Sequence, residues 1–395
     1  MRTYLTVFYC ASGLAIGGVA ALNYIVDPHL THQWDSPRVQ QLRPAREKLS
    51  AWGKTYALAR YRPQVLYLGN SRTELALPAG VPAFAGQTVF NGALSGASLG
   101  DAAAMALHAR RVGRPATVVW GVDAPSFSLA VGADFDRELV AGGGHFFAHR
   151  GLINLKRALT LDMTQDSLSV LAGSFGAVCK SSLALYGQRD ERCINDHMQH
   201  WGGTSAAVAP RLREFIRGEG PTADALEAFG VAVRQMCGDG TRVRLYINPT
   251  HASMLDALYR RGKGGAHERW QQALARMAQT RRREGCDTRL FDFSGFNSIT
   301  TEPLARSRAG PQMVHYWEPS HYRANVGRMV IARIFGGAGD AAPADFGVEL
   351  RPEMMKAHLA NQLEGVARYR RQHARDAELV RLLAAEEARA KARGI

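Results

Sequence analysis

The sequence predicts a three-layer α/β/α fold, with a parallel sheet of about five strands, one N-terminal transmembrane helix and a long C-terminal helix. Short apolar runs alternate with helix-like stretches, which is typical of a parallel sheet covered on both faces. The opening segment is apolar over the roughly 20 residues that a membrane-spanning helix needs. At 395 residues, the chain is long enough for one elaborated domain or two.

The first segment, residues 1–27, carries no charged residue from Thr3 to Val26. Because Arg2 and the amino terminus precede this run, the positive-inside tendency keeps them in the cytoplasm and sends the rest of the chain across the membrane. We therefore expect a single-pass anchor in a bacterial inner membrane, in contact with lipid through residues 4–26. The body would then lie in the periplasm.

A cleavable signal peptide is the alternative interpretation of this segment. Gly18 and Ala20 satisfy the small-residue rule for cleavage. The apolar run is nevertheless longer than the usual core of such peptides, which is roughly 7 to 15 residues. Both interpretations place the body of the protein outside the cytoplasm.

Charge does not indicate a nucleic-acid partner. The 49 Lys and Arg residues exceed the 35 Asp and Glu residues, for a formal net charge of +14. The excess is diffuse, export argues against nucleic acid, and we find no RNA- or DNA-binding motif. Arginine clusters near 260–263, 281–283 and 368–371 predict solvated faces, or alternatively contact with anionic lipid or acidic polysaccharide.

The strands of the predicted sheet are short apolar runs bounded by glycine, proline or charged residues. They are Val65 to Leu68, Thr88 to Phe90, Thr117 to Gly121, Arg242 to Ile247 and Thr288 to Phe293. The segment from Gly96 to Gly113 has alanine and leucine on one face and predicts the helix that joins the second strand to the third.

Four regions follow from this pattern. We expect the anchor or signal segment at 1–27, a polar connector with a short helix at 28–60, the α/β domain at 61–340, and an amphipathic helix within 341–395. Inside the α/β domain, the stretch at about 125–240 lacks a convincing strand. It predicts a helical insertion of the kind that often forms a cap.

The cysteines predict two disulfide bonds. Four of the five lie in the exported body, where disulfides persist. We expect Cys179 to pair with Cys193, and Cys237 with Cys286, because the first pair closes a short loop within one insertion. The alternative is four unpaired buried thiols. Metal ligation is disfavoured because the chain contains no Cys-x-x-Cys pair.

The stretch VLYLGNSRTEL places Ser71 directly after the first predicted strand, where ligands of parallel sheets gather. A nucleophilic serine needs a general base and a group that orients the base. Glu318 and His321, three residues apart late in the chain, supply these groups. The structural alternatives are that Ser71 or Thr73 caps the following helix, and that Ser320 caps the late helix with His321 in its first turn.

These blocks resemble the SGNH (GDSL-type) hydrolase superfamily over roughly residues 65 to 335. The Gly-Asn-Ser block ending at Ser71 corresponds to that family's Gly-Asp-Ser, and the block from Glu318 to His321 to its Asp-x-x-His. The segment FNGALSGAS resembles its glycine-bearing loop, which donates a backbone N–H to the oxyanion. The resemblance implies a flavodoxin-like sheet, a Ser71, His321 and Glu318 triad, and neither cofactor nor metal.

Three positions depart from the family pattern. Asn70 and Glu318 each stand where the family has Asp, and the third block, Gly-x-Asn in the family, reads GVDAP with Asp123. An ionised aspartate accepts hydrogen bonds and repels an oxyanion. Loss of catalysis is one consequence that this departure allows. The alternatives are that Asp123 is structural and turned away, or that the oxyanion donors are the backbone amides of Ser71 and Ala93, with the side chain of Asn91 or Asn70 assisting.

A closer resemblance is to membrane-anchored, exported SGNH-like proteins of bacterial exopolysaccharide acetylation, in which a GxSR turn, an FN..LSGAS-like segment and a late Asp/Glu-x-x-His recur. It implies serine-dependent acyl transfer or ester hydrolysis, of O-acetyl groups, on a cell-envelope polysaccharide or another acyl ester of the envelope. A membrane-bound O-acyltransferase is the implied partner. The alternative is a non-catalytic accessory protein that binds glycan or scaffolds a polysaccharide-modifying membrane complex.

Three further polar residues lie near the predicted site. Arg72, beside the nucleophile, is expected either to hold an acidic sugar or phosphate, or to form a salt bridge that stabilises the turn. Asn248 and His251 follow the fourth strand and open on the same sheet edge. They are expected either to line the substrate cleft or to belong to a loop that ends at a proline and is capped by Thr250.

Overall fold

The computed structural model describes residues 1–31, 51–130, 145–173, 181, 183–218, 220–336 and 342–393. Within these ranges it is a mixed α/β structure built on a mostly parallel sheet. The strands are β1 (Val65–Leu68), β2 (Val89–Asn91), β3 (Thr117–Val122), β4 (Arg242–Ile247), β5 (Thr288–Asp292), β6 (Tyr316–Glu318), β7 (His321–Tyr322) and β8 (Val348–Glu349).

The helices before β4 are α1 (Arg2–Val26), α2 (Ala51–Tyr61), α3 (Ser71–Ala76), α4 (Leu99–Val112), α5 (Phe146–Ala158), α6 (Leu161–Leu171), α7 (Glu191–His200), α8 (Thr204–Arg217) and α9 (Ala223–Gly238). The later helices are α10 (Ala252–Arg260), α11 (Gly264–Arg283), α12 (Ala324–Phe335), α13 (Met355–Gln372) and α14 (Ala374–Ala392). Helices therefore separate most successive strands of the sheet, as the sequence predicted.

The main sheet has the strand order β2-β1-β3-β4-β5-β8, and all five predicted strands are present. The first five strands are parallel, and β8 pairs antiparallel to β5. Leu68 lies opposite Trp120, and Val122 lies opposite Ile247. This register brings the carboxyl ends of β1, β3 and β4 to one edge of the sheet.

The two faces of the sheet are covered by different helices, giving three layers. Along β1, Leu66 and Leu68 point into one apolar core and Tyr67 into the other, as the period of two along a strand requires. The first core contains residues of α2, α4, α9 and α11. The second contains residues of α8, α10, α12 and α14.

The region predicted as an insertion at 125–240 contains two kinds of helix. Helices α5 to α8 lie between β3 and the last helix of the region, α9. Helix α9 is the helix that precedes β4 and packs on the sheet, where the Phe229 ring lies 5.0 Å from that of Trp120. Its apolar face is part of the core, so the insertion proper ends before Ala223.

The connector and the C-terminal region also differ in detail from the expectation. Residues 32–50 of the connector lie outside the described residues, while α2 is buried against α4 and belongs to the body. The C-terminal region forms two helices, because the backbone leaves the helical conformation at His373. Helix α14 folds back and packs on α8 and α10.

Helix α1 is long and apolar enough to cross a membrane, with 25 residues and a mean hydropathy of 1.8 in its most apolar window. None of that window is buried inside the protein. A lone terminal helix of this kind is consistent with a single-pass anchor. A signal sequence passes the same criterion.

One predicted disulfide is absent. Cys193 takes part in a disulfide bond, and its predicted partner Cys179 lies outside the described residues. Cys237 and Cys286 are both free thiols, so the predicted disulfide bond between them is wrong. The two thiols are neighbours, and burial together with the adjacent Cys286 raises the pKa of Cys237 to about 12. The Cys237 sulfur contacts Thr288 Oγ1 at 3.3 Å.

Candidate active site

The turn after β1 presents Ser71 as the first residue of α3. Gly69 has φ +144°, and a Cβ there would lie 2.4 Å from Thr73 Oγ1, so the close approach of strand and helix requires glycine. Asn70 caps α3, because its side chain accepts a hydrogen bond from the Arg72 N–H at 3.1 Å. The alternative in which Ser71 or Thr73 is the cap is therefore wrong.

The β6–β7 hairpin presents the other two members of the predicted triad. Glu318 lies directly opposite His321 across this two-stranded antiparallel pair. Helix α12 begins afterwards, at Ala324, with Arg323 at its N-cap position. Ser320 therefore does not cap the helix, and the hairpin turn explains why residues three apart share one site.

The three side chains meet at the carboxyl edge of the sheet. Ser71 Oγ lies 2.8 Å from His321 Nε2, and His321 Nδ1 is hydrogen-bonded to Glu318 Oε1. A carboxylate only accepts, so Nδ1 carries the proton in the neutral ring and Nε2 accepts from the serine hydroxyl. This is the order of contacts that general-base activation of a serine requires.

Glu318 is buried and held as a carboxylate. Burial alone would raise its pKa, but the charges of His321 and Arg211 and the hydrogen bonds from His321 and the Ser320 N–H lower it overall. The Ser320 N–H donates to Glu318 Oε2 at 2.6 Å, and Arg211 Nε lies 3.5 Å from Oε1. Glu318 therefore stays ionised and orients the imidazole.

Arg72 joins three parts of the site through its whole guanidinium group. Nε donates to the Ser320 carbonyl and Nη2 to the Ser320 hydroxyl, each at 2.9 Å. Nη1 forms a salt bridge with Asp123 Oδ1 at 3.0 Å. These contacts occupy all three guanidinium nitrogens. The alternative in which Arg72 forms a salt bridge that stabilises the turn therefore describes its geometry, and Arg72 acts as a positioning residue.

Asp123 is turned into this network. Asn70 Nδ2 donates to its Oδ2 at 2.7 Å, and Ser126 Oγ donates to its Oδ1 at 2.9 Å. Together with Arg72, these donors balance the negative charge of the carboxylate. The same bonds use the Asn70 amide, so Asn70 is not a free donor for an oxyanion.

Two expected oxyanion donors lie inside the protein. The Ala93 N–H donates to Asn91 Oδ1 at 3.1 Å, and Asn91 Nδ2 donates to the carbonyls of Thr73 and Leu77 at 3.0 Å each. Both residues are fully buried. The expectation that Ala93 and Asn91 donate to the oxyanion is therefore wrong. Both residues instead hold the FNGALSGAS segment against α3.

Two backbone donors remain at the cavity. The N–H groups of Ser71 and Gly96 have no hydrogen-bond partner within the part of the chain that the structure describes, and both residues line the cavity. Gly96 has φ +70° and belongs to the same FNGALSGAS segment as Ala93. Gly96 therefore lines the cavity where Ala93 was expected to.

The triad lies in a cavity of about 630 Å³. Helices α7 and α8 form one wall, contributing Ile194, His197, Met198 and Arg211. The Arg211 guanidinium is half-exposed and bridges Glu214 at 2.6 Å and Glu318 at 3.5 Å. Two helices of the insertion thus form one wall of the site.

A buried ion cluster lies next to the cavity. Glu74 accepts from Lys54 Nζ and from Arg189 Nε, each at 3.0 Å, and from the hydroxyls of Ser95 and Ser181. Burial alone would raise the pKa of Glu74, but the two cations and the hydroxyl donors lower it to about 2. The cluster fixes α2, α3, the FNGALSGAS segment and the insertion to one another.

Asn248 and His251 are buried and do not line the cavity, which corrects the cleft interpretation. Asn248 Nδ2 donates to the Val122 carbonyl at 3.2 Å, and its Oδ1 accepts from Tyr322 OH at 2.9 Å. His251 caps α10 by accepting from the Ser253 N–H at 3.1 Å. The cap of this loop is thus His251, where Thr250 was expected.

Sequence analysis missed Arg189, Arg211 and Trp201. Trp201 directly follows α7, is 68% exposed, and its ring lies 6.1 Å from that of His197, which lines the cavity. Ile194, His197 and Met198 follow an i, i+3, i+4 spacing in the sequence, but only the fold shows that these three residues line the cavity. Within the described residues, no cluster of three metal-ligating side chains is present.

The fold and the site together define an α/β protein with a serine, histidine and carboxylate constellation at the carboxyl edge of its sheet. No protein-family model matches the chain, and no curated protein matches it either. The function is therefore argued from the geometry of the site.

Proposed function

We propose that this chain is an SGNH-type, membrane-anchored enzyme that transfers or hydrolyses acyl groups, O-acetyl groups above all, on a cell-envelope polysaccharide. The observation that carries the proposal is the contact of Ser71 Oγ with His321 Nε2 at 2.8 Å, with Glu318 on the other ring nitrogen. The two blocks lie 250 positions apart in the sequence, yet they meet in one cavity.

The sheet supports the same class. The order β2-β1-β3-β4-β5 is that of flavodoxin-like sheets, whose ligands bind where the strand order reverses, between β1 and β3. Ser71 follows β1, and Asp123 follows β3. The nucleophile therefore occupies the position at which this sheet order favours a ligand.

In the first half-reaction, His321 Nε2 accepts the proton of Ser71 Oγ as the oxygen attacks the acyl carbonyl. The N–H groups of Ser71 and Gly96 are the candidates to stabilise the oxyanion. The tetrahedral intermediate collapses as the bond to the leaving alcohol breaks and that alcohol takes the proton from His321. The acyl group is then esterified to Ser71.

In the second half-reaction, His321 accepts a proton from the incoming nucleophile as that nucleophile attacks the acyl carbon. His321 then returns the proton to Ser71 Oγ as the bond between Ser71 and the acyl group breaks. Water as nucleophile gives hydrolysis, and a sugar hydroxyl gives transfer. Glu318 keeps its charge in both halves, as its lowered pKa favours, and stabilises the imidazolium.

A second candidate function is a non-catalytic accessory protein that binds glycan or scaffolds a polysaccharide-modifying membrane complex. Asp123 favours this candidate, because the third block carries an acceptor where the SGNH pattern has a donor. Its carboxylate is nevertheless bound by Arg72 and Asn70, so its charge is balanced within the site.

The setting of the enzyme follows from α1. We propose that α1 anchors the chain in a bacterial inner membrane, with the body in the periplasm, where a membrane-bound O-acyltransferase supplies acyl groups. The segment 4–26 contacts the lipid. The site residues supply all the groups that this mechanism uses, and neither a metal nor a cofactor enters it.

The test is the release of p-nitrophenolate from p-nitrophenyl acetate by the full chain in detergent. We expect Ser71→Ala to lower the rate at least about 10³-fold, because serine nucleophiles contribute on that scale. Ser298→Ala, at a serine outside the cavity, is the matched control and should keep the wild-type rate. Equal rates for Ser71→Ala and wild type would rule out the enzyme and leave the non-catalytic accessory protein as the remaining candidate.

A further inference from the structure

Helices α5 and α6 form a hairpin with an unusually apolar exposed surface. Leu161 is 86% exposed and Leu159 is 46% exposed. We call the exposed large apolar side chains of this hairpin the leucine face: Phe147, Leu152, Leu155, Leu159, Leu161, Leu168 and Leu171. Large exposed apolar surfaces on soluble proteins mark protein or membrane interaction sites.

The hairpin is fixed to the C-terminal end of α1. Asn23 Nδ2 donates to the Ala158 carbonyl and to Thr164 Oγ1, each at 2.9 Å. Val26 packs against Val170. The leucine face is thus continuous with the apolar surface of the helix that is long enough to span a membrane.

The contact with Asn23 also makes the tip of the hairpin compatible with an apolar medium. The tip lies between Ala158 and Leu161, where α5 ends and its last carbonyls lose their helical partners. Unsatisfied backbone groups are costly in lipid. Asn23 satisfies one of them, the Ala158 carbonyl, from inside α1.

The charges on the hairpin set its depth. Lys156 and Asp162 are exposed beside the leucines. Amphipathic helices that carry both kinds of side chain lie at the boundary between headgroups and acyl chains. An apolar crevice of about 480 Å³ between α1 and α5, lined by Ala20, Tyr24 and Leu155 among others, opens at the same level.

We propose that the α5–α6 hairpin buries its leucine face in the phospholipid leaflet that surrounds the C-terminal end of α1. The partner is lipid, because the face continues the surface of α1 and its tip is satisfied by an α1 side chain. The hairpin would thereby fix the distance of the cavity from the bilayer. This inference does not depend on the acyl chemistry.

The test uses the full chain in phospholipid vesicles, with Cys10, Cys237 and Cys286 replaced by serine. A bimane fluorophore is placed on Leu159→Cys or, as a matched control, on Leu382→Cys in α14, a residue of equal exposure, 46%. The measured quantity is quenching by phospholipids with brominated acyl chains. A third variant, Leu161→Cys, guards against a local effect of one label.

We expect quenching at Leu159 and Leu161 to exceed quenching at Leu382 at least fivefold. Quenching at the hairpin equal to that at Leu382 would show that the leucine face meets water or protein and would overturn the proposal. Disulfide crosslinking of the unlabelled Leu159→Cys variant at low protein-to-lipid ratio, together with an absence of quenching in the labelled variant, would assign the face to a second copy and would also overturn it. Circular dichroism checks that each variant is folded.

Discussion

The guanidinium group of Arg72 holds Ser320 through two hydrogen bonds of 2.9 Å, one to its carbonyl and one to its hydroxyl. Arg72 follows Ser71, and Ser320 precedes His321. The position of His321 relative to Ser71 is therefore fixed by a side chain from the first block. The distance of 2.8 Å between Ser71 Oγ and His321 Nε2 depends on this link.

Arg72→Lys tests this positioning role. Lysine keeps the charge but has one nitrogen for partners that Arg72 serves with three. We expect kcat for p-nitrophenyl acetate to fall about tenfold to a hundredfold, with KM within twofold of wild type. A large rise in KM with unchanged kcat would instead show that Arg72 binds substrate.

Glu318→Gln tests the role of the carboxylate. Glutamine retains the size of the side chain but can present an amide to His321 Nδ1, which disfavours the tautomer with Nε2 as acceptor. We expect kcat to fall about 10²- to 10⁴-fold, the range for a lost triad carboxylate. Glu214→Gln, which also removes a partner of Arg211 but does not touch His321, should stay within threefold of wild type.

Glu74→Gln tests the buried ion cluster. Breaking a buried ion pair by removing one partner costs about 3 to 5 kcal/mol, because it leaves Lys54 and Arg189 without a balancing charge. We expect the variant to unfold at a clearly lower temperature than wild type at pH 7. An unchanged melting temperature would contradict a structural role for the cluster.

The difference in unfolding free energy between wild type and Glu74→Gln should also depend on pH, with a defined sign. The folded pKa of Glu74 is about 2, below its ordinary 4.5, so the stabilisation is fully present above about pH 4.5 and is lost as pH falls toward 2. The difference in unfolding free energy between wild type and Glu74→Gln should shrink by about 1.4 kcal/mol per pH unit in that window. A difference that stays constant from pH 5 to pH 3 would contradict the lowered pKa.

Trp201→Ala tests whether the substrate extends over α7. Trp201 is an exposed indole next to His197, which lines the cavity, and it offers a flat apolar face to a sugar ring. We expect kcat/KM for an acetylated oligosaccharide to fall about tenfold, and the rate with p-nitrophenyl acetate to stay within twofold. Trp201→Phe should recover most of the loss. Equal losses with both substrates would indicate damage to the site.

The strands and the turn that carries Ser71 were predictable because their signals are local. The link from Ser71 to Glu318 and His321 came from the SGNH resemblance, since the two blocks lie 250 positions apart. Each strand is a short apolar run, and Gly69 and Asn70 mark the turn that exposes Ser71. Strand β8 was missed because it has two residues and follows no apolar run. The break at His373 was missed for a similar reason: no glycine or proline marks it.

The expected roles of Ala93, Asn91, Asn248 and His251 were wrong for a different reason. A polar residue near a strand end can face either the cleft or the interior, and distant partners decide between them. Tyr322 binds Asn248, and the carbonyl of Glu302 binds His251 at 2.6 Å. Such pairings between remote segments leave no periodic trace in one sequence.

The most direct test of the central claim is covalent labelling of the full chain with a fluorophosphonate, followed by peptide mass spectrometry. The probe reacts with a serine only where a base has activated it. We predict one modified peptide, carrying the adduct on Ser71, and labelling at least a hundredfold slower in His321→Ala. No adduct on Ser71, or equal labelling in wild type and His321→Ala, would contradict the serine–histidine mechanism.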